Sequence, residues 1–123
     1  MKDTALRLIV CGGRNYHNKK AIWIALDDVH LKYGIAAIIQ GAADGADRWA
    51  AEWGWEHQKD NVLVCSYPAD WQKEGKSAGP KRNARMIAES NPNGVIAFPG
   101  GVGTADMIKK AKTADLLVWQ PEG

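Results

Sequence analysis

The stretch Ile96-Ala97-Phe98-Pro99-Gly100-Gly101-Val102-Gly103-Thr104-Ala105-Asp106-Met107 decides how the rest of the chain is read. An apolar strand runs into a glycine turn, and a helix is expected to open at Thr104. Glycines let backbone approach a ligand closely, while the free N–H groups and positive dipole end of a helix favour phosphate or carboxylate. The turn therefore predicts a phosphorylated small molecule as ligand.

Outward from this turn, apolar runs of strand length alternate with stretches of helical period. Strands are expected at Leu6 to Cys11, Ala36 to Gln40, Val62 to Cys65, Gly94 to Phe98 and Leu116 to Trp119. Helices are expected at Lys19 to Tyr33, Ala46 to His57, Lys81 to Ser90 and Thr104 to Thr113, with a long polar loop from Tyr67 to Pro80. The strands are continuous apolar runs rather than polar alternations, which is the pattern of a parallel sheet covered on both faces. The expected fold is an α/β, three-layer, Rossmann-like domain of five parallel strands.

The chain of 123 residues fits one such domain, spanning 1–123. No apolar run approaches the roughly 20 residues of a membrane span, so no membrane partner is expected. The first residues show no basic and apolar leader pattern, which makes the cytoplasm the expected location. Cys11 and Cys65 lie in apolar runs, and their spacing suits neither a zinc knuckle nor a redox pair. They are expected as buried thiols, and neither a metal nor a cofactor is expected. A net charge of +2 is too small to make nucleic acid the expected partner.

In such sheets ligands sit beyond the carboxyl ends of the strands. There the distinctive residues fall: Gly12, Gly13, Arg14 and Asn15 after the first strand, Gly41, Asp44 and Asp47 after the second, the Pro68 to Pro80 loop with Trp71 after the third, and Pro99 to Thr104 after the fourth. Each has a structural alternative. Glycines also make plain corners, Asp44 or Asp47 could cap the following helix, and Trp71 could anchor its loop instead of stacking on a base. His17 reads as a solvated side chain.

Known phosphate motifs narrow the choice. In Gly101-Val102-Gly103-Thr104-Ala105-Asp106 an Asp replaces the third glycine of the dinucleotide fingerprint, and no G-x-x-x-x-G-K-[ST] sequence is present. Neither a dinucleotide oxidoreductase nor a P-loop ATPase is expected, nor is a serine hydrolase of the nucleophile-elbow type.

Four segments, Val10 to Asn15, Gly41 to Asp47, Pro80 to Met86 and Ala97 to Met107, resemble the SLOG superfamily of Rossmann-like nucleotide-ligand-binding domains in order and spacing. That superfamily includes the LOG phosphoribohydrolases and DprA, and the nearest resemblance is to its YspA-like branch. The resemblance implies phosphate binding at Pro99, Gly100, Gly101, Val102, Gly103 and Thr104, with Arg82 matching the upstream Arg of the LOG enzymes. Those enzymes read PGGxGTxxE, whereas Met107 stands at the position of the Glu here and Asp106 lies one residue earlier, turned by about 100° on a helix.

Binding of a nucleotide or a nucleotide-derived compound is thus the leading expectation. One alternative is a phosphoribohydrolase-like enzyme that cleaves the N-glycosidic bond of a nucleoside 5′-monophosphate, with Arg82 and Asp106 as its catalytic pair. The other is a DprA-like contact with single-stranded DNA. Trp49, Trp53 and Trp55 on one helix further predict a homo-oligomer contact there.

Overall fold

The computed structural model describes residues 5–122. Its sheet has five parallel strands, β1 (Leu6–Cys11), β2 (Ile35–Gln40), β3 (Leu63–Ser66), β4 (Gly94–Ala97) and β5 (Leu117–Trp119), in the order β3-β2-β1-β4-β5. The helices are α1 (Lys19–Lys32), α2 (Ala46–Glu56), α3 (Trp71–Glu74), α4 (Ala78–Ser90) and α5 (Val102–Thr113). This is the α/β, three-layer, Rossmann-like arrangement expected from the alternation of apolar runs.

Successive strand residues point to opposite faces, so a continuous apolar run feeds two cores at once. Leu8, Val10, Ile38, Ile96 and Phe98 pack on one face against Ile22, Leu26 and Val29 of α1 and Ala50 and Trp53 of α2. Ile9, Cys11, Ile39, Val95 and Ala97 pack on the other against Met86 of α4 and Met107 and Ala111 of α5. Asn18 starts α1 by accepting the Ala21 N–H through Oδ1 at 3.1 Å, which satisfies one of the N–H groups that a helix start leaves unpaired.

The chain winds outward from β1 through β2 to β3, then crosses back to place β4 on the other side of β1. The β1–β4 border is therefore the point where strand order reverses, and in doubly wound sheets the ligand crevice opens there. Cys11 pairs with Ala97 at the carboxyl ends of the two strands. Beyond them Phe98 donates its N–H to the Cys11 carbonyl at 2.9 Å and Gly13 donates to the Pro99 carbonyl at 2.8 Å, so the two glycine turns are tied side by side.

The segment expected as a polar loop from Tyr67 to Pro80 is largely helical. Asp70 caps α3 by accepting the Lys73 N–H at 3.1 Å, a 3-10 turn follows at Gly75–Ser77, and α4 begins at Ala78 rather than Lys81. Pro80 occupies the first turn of α4, where a missing N–H costs no hydrogen bond. Helix α5 likewise begins at Val102, two residues ahead of Thr104.

Candidate ligand cleft at the carboxyl edge of the sheet

A cavity of about 800 Å³ opens over the carboxyl ends of the strands. All four turns singled out by sequence reach it. Gly12, Gly13, Arg14 and Asn15 line it from β1, Gly41 and Asp47 from β2, Trp71 from α3, Arg82 and Asn83 from α4, and Pro99 through Thr104 with Asp106 from the turn after β4. Asp44 does not line it; its side chain is exposed in the turn before α2.

The turn after β4 is built for close approach. A side chain at Gly100 would run into the Thr104 hydroxyl and the Gly13 backbone nitrogen, so only glycine fits. Helix α5 has no side-chain cap, and its first backbone hydrogen bond is Ala105 N–H to the Gly101 carbonyl at 3.0 Å. Among the described residues, the N–H groups of Gly100 through Thr104 therefore have no protein partner. A methyl at Gly101 or Gly103 would meet nothing within 4 Å. Packing does not require glycine at either position, yet its use there leaves the cleft open.

Arg82 departs from the expectation of a free phosphate-binding cation. Its Nη1 donates to the Gly41 carbonyl and its Nε to Asn83 Oδ1 at 3.0 Å. The guanidinium lies so close over Gly41 that a side chain at that position would collide with it. Burial lowers its pKa, and the neighbouring Asp47 carboxylate raises it in turn. The side chain is half-buried and structurally engaged, so the whole fork is not available to a ligand.

Asp47 is not a helix cap either. Gly45 occupies the cap position of α2, and the Asp47 side chain turns back to accept N–H groups from Gly41 at 3.1 Å and Ala43 at 3.3 Å through Oδ2. It is 6% exposed. Burial pushes its pKa up to about 6, against the opposing pull of those N–H groups and of Arg82 and Arg14. Burial likewise pushes the Cys11 thiol up to about 12, helped by the Asp47 charge, so Cys11 lines the cleft as an un-ionised thiol.

Asp106 is bound on both oxygens. Lys110 donates to Oδ1 at 2.6 Å and Asn83 to Oδ2 at 3.0 Å. Burial raises its pKa, but those two donors outweigh that effect and hold the carboxyl below the usual range. Met107 is 0% exposed and belongs to the core under α5, so the position at which LOG enzymes carry Glu contributes packing here.

Asn83 is the main residue that sequence reasoning passed over. It is buried, accepts from Arg82, and donates to both the Gly103 carbonyl at 3.1 Å and Asp106. It therefore joins α4 to the first turn of α5. The signal was present in the spacing of Gly79, Asn83 and Met86, which share one face of α4 and all line the cleft. Lys76 and Tyr16 were also passed over as lining residues.

Trp71 stands at the rim, 47% exposed, with the Arg14 guanidinium 5.3 Å from its ring centroid and its ring edge against Gly79. The Gly75-Lys76-Ser77-Ala78-Gly79 segment has the G-x-S-x-G spacing of a nucleophile elbow. It joins two helices instead of a strand and a helix, however, and the Ser77 hydroxyl donates to the Glu74 carbonyl at 2.8 Å. No histidine lines the cleft, so the segment does not form a serine-hydrolase site.

The expected oligomer contact needs revision at Trp53. Its ring is 0% exposed, stacked on His57 at 3.9 Å between centroids, with Nε1 donating to Asp27 at 2.9 Å. Trp49 is partly buried beneath Lys19, and Trp55 is the exposed indole of α2. Among the described residues no helix is long and apolar enough to cross a membrane, and no group of three or more His, Cys, Asp or Glu could hold a metal ion.

The chain is similar to the Gene 61 protein of Mycobacterium phage D29, with 35% identity over 119 residues that cover 91% of this chain and 93% of that protein. The profile of the family described as "YspA, cpYpsA-related SLOG family" matches residues 6–73. That match takes in the turns after β1, β2 and β3 together with Trp71, and the turn after β4 lies beyond it. On the extent of both likenesses, this chain belongs to the YspA, cpYpsA-related SLOG family.

Proposed function

We propose that the protein binds a nucleotide or a nucleotide-derived phosphorylated small molecule in this cleft. The observation that carries the reading is the run of N–H groups from Gly100 to Thr104, unpartnered among the described residues and facing an open cavity at the sheet's reversal point. A phosphate satisfies such donors and gains from the helix dipole. Trp71 offers an aromatic face in the same cleft for a base, once the Arg14 guanidinium swings from the ring toward the phosphate.

Charge favours a small anion over a polyanion. Of the basic residues around the opening, Lys81 and Arg85 pair with Glu74, and Lys110 pairs with Asp106. Arg14 and Lys76 are the lining cations without an ion pair or hydrogen bond among the described residues. Asp106 gives the hydrolytic alternative little support, because a carboxylate held by two donors is a poor proton donor.

A thermal-shift and calorimetry screen of nucleoside mono-, di- and triphosphates tests the reading. A ligand at 100 times its Kd adds about 2.7 kcal/mol of stability, and Trp71→Ala should weaken binding at least tenfold. A flat screen that includes inorganic phosphate would refute the proposal.

A further inference from the structure

Asp47 has an oxygen that the fold does not use. Its Oδ2 accepts the N–H groups of Gly41 and Ala43, while Oδ1 accepts no hydrogen bond from any described residue. That oxygen is not sealed off. Among the described residues, Nε1 of Trp49 is the one enclosed side-chain nitrogen or oxygen of a non-exposed residue without a partner. The Asp47 side chain is more than nine-tenths buried and lines the cleft, so Oδ1 faces the cavity.

The surroundings limit what can meet it. An ionised carboxylate is an acceptor only, so the ligand must bring a donor. Arg82 of α4 and Arg14 of the turn after β1 both act on Asp47 electrostatically, and Cys11 of β1 beside it is an un-ionised thiol. Two guanidinium groups disfavour a ligand ammonium at this spot, and the carboxylate itself repels an anion. A neutral donor remains. Asp47 lines the same cleft as the turn after β4 and Trp71, so a nucleotide that engages both brings its sugar into the cavity that Asp47 lines.

We propose that Asp47 Oδ1 accepts a hydrogen bond from a sugar hydroxyl, so that the cleft selects phosphorylated compounds carrying a free ribose-type hydroxyl. The assignment rests on the nucleotide reading of the cleft. A site built around a hydroxyl rejects the analogue lacking it far more strongly than a shape-matched pocket rejects an extra group, because the buried acceptor is then left unpaired.

The test is calorimetry on the intact protein with AMP, GMP, CMP and UMP, followed by the 2′-deoxy and 3′-deoxy forms of whichever binds tightest. Loss of one hydroxyl should weaken binding at least tenfold, and Asp47→Asn should erase most of that discrimination. The analogue comparison uses the wild-type protein, so it decides even if the variant does not fold. Binding of both deoxy forms within threefold of the parent overturns the Asp47 assignment and leaves the phosphate reading standing. No binding of any nucleotide or of inorganic phosphate overturns both.

Discussion

Arg82 donates through Nη1 to the Gly41 carbonyl, 41 residues earlier in the chain, and thereby fastens α4 to the turn after β2. The same guanidinium reaches Asn83 and balances the buried Asp47. Much of its hydrogen-bonding capacity is thus directed inward.

Replacing Arg82 with Ala should therefore cost stability as well as affinity. Loss of a charge-assisted bond and of the partner of a buried carboxylate is worth about 2–3 kcal/mol. Arg82→Lys should recover little of it, because an ammonium cannot span Gly41 and Asn83 together. Urea unfolding of the three proteins measures this. A variant as stable as wild type would show that Arg82 is free for ligand after all.

Gly103→Ala separates folding from binding. Gly103 lies in the first turn of α5, and an added methyl meets nothing within 4 Å. Alanine in a helix is up to about 1 kcal/mol better than glycine, so the variant should melt at or above the wild-type temperature. Gly103 lines the cleft among the unpaired N–H groups, and on the nucleotide reading the added methyl should weaken binding at least tenfold. Unchanged affinity would move the phosphate away from this turn.

Stability should fall as pH rises from about 4 to about 6. The Asp47 pKa goes up to about 6 on folding, so within that window the folded state holds a proton that the unfolded state has released. The two or so pH units correspond to about 3 kcal/mol at most. Asp106, whose pKa is lowered, acts in the opposite sense: its contribution is present above the ordinary carboxylate pKa and fades as pH drops through the folded value. Denaturation at several pH values with Asp47→Asn and Asp106→Asn distinguishes them. The first variant should flatten the loss of stability between pH 4 and 6, and the second the loss below pH 4.

Trp53 and Trp55, two residues apart on α2, should differ sharply. Trp53→Ala removes an enclosed ring and an indole bond to Asp27, a loss of about 3–5 kcal/mol. Trp55 is 52% exposed, so Trp55→Ala should stay within about 0.5 kcal/mol of wild type in a monomer. Should the protein self-associate through this helix, light scattering would report a loss of the oligomer in Trp55→Ala.

The sequence by itself determined the layers and the edge that carries the cleft. Continuous apolar runs such as Leu8 to Cys11 can bury both of their faces only between two helix layers, and the glycines that follow them mark the strand ends where the turns gather. The helical nature of Trp71–Glu74 was harder to read, because one turn of helix is too short to show a period. Tertiary structure alone decided which charged groups remain free. Asp44, Asp47 and Asp106 all follow glycine-bearing turns and look alike in sequence, but one is exposed, one turns inward with a single open oxygen, and one is held by Asn83 and Lys110. Local spacing reports period and turn chemistry. It does not report that Arg82 will meet Gly41, or that Asn83 will meet Asp106, because the first pair forms only when α4 packs over the end of β2 and the second only when α4 packs beside α5.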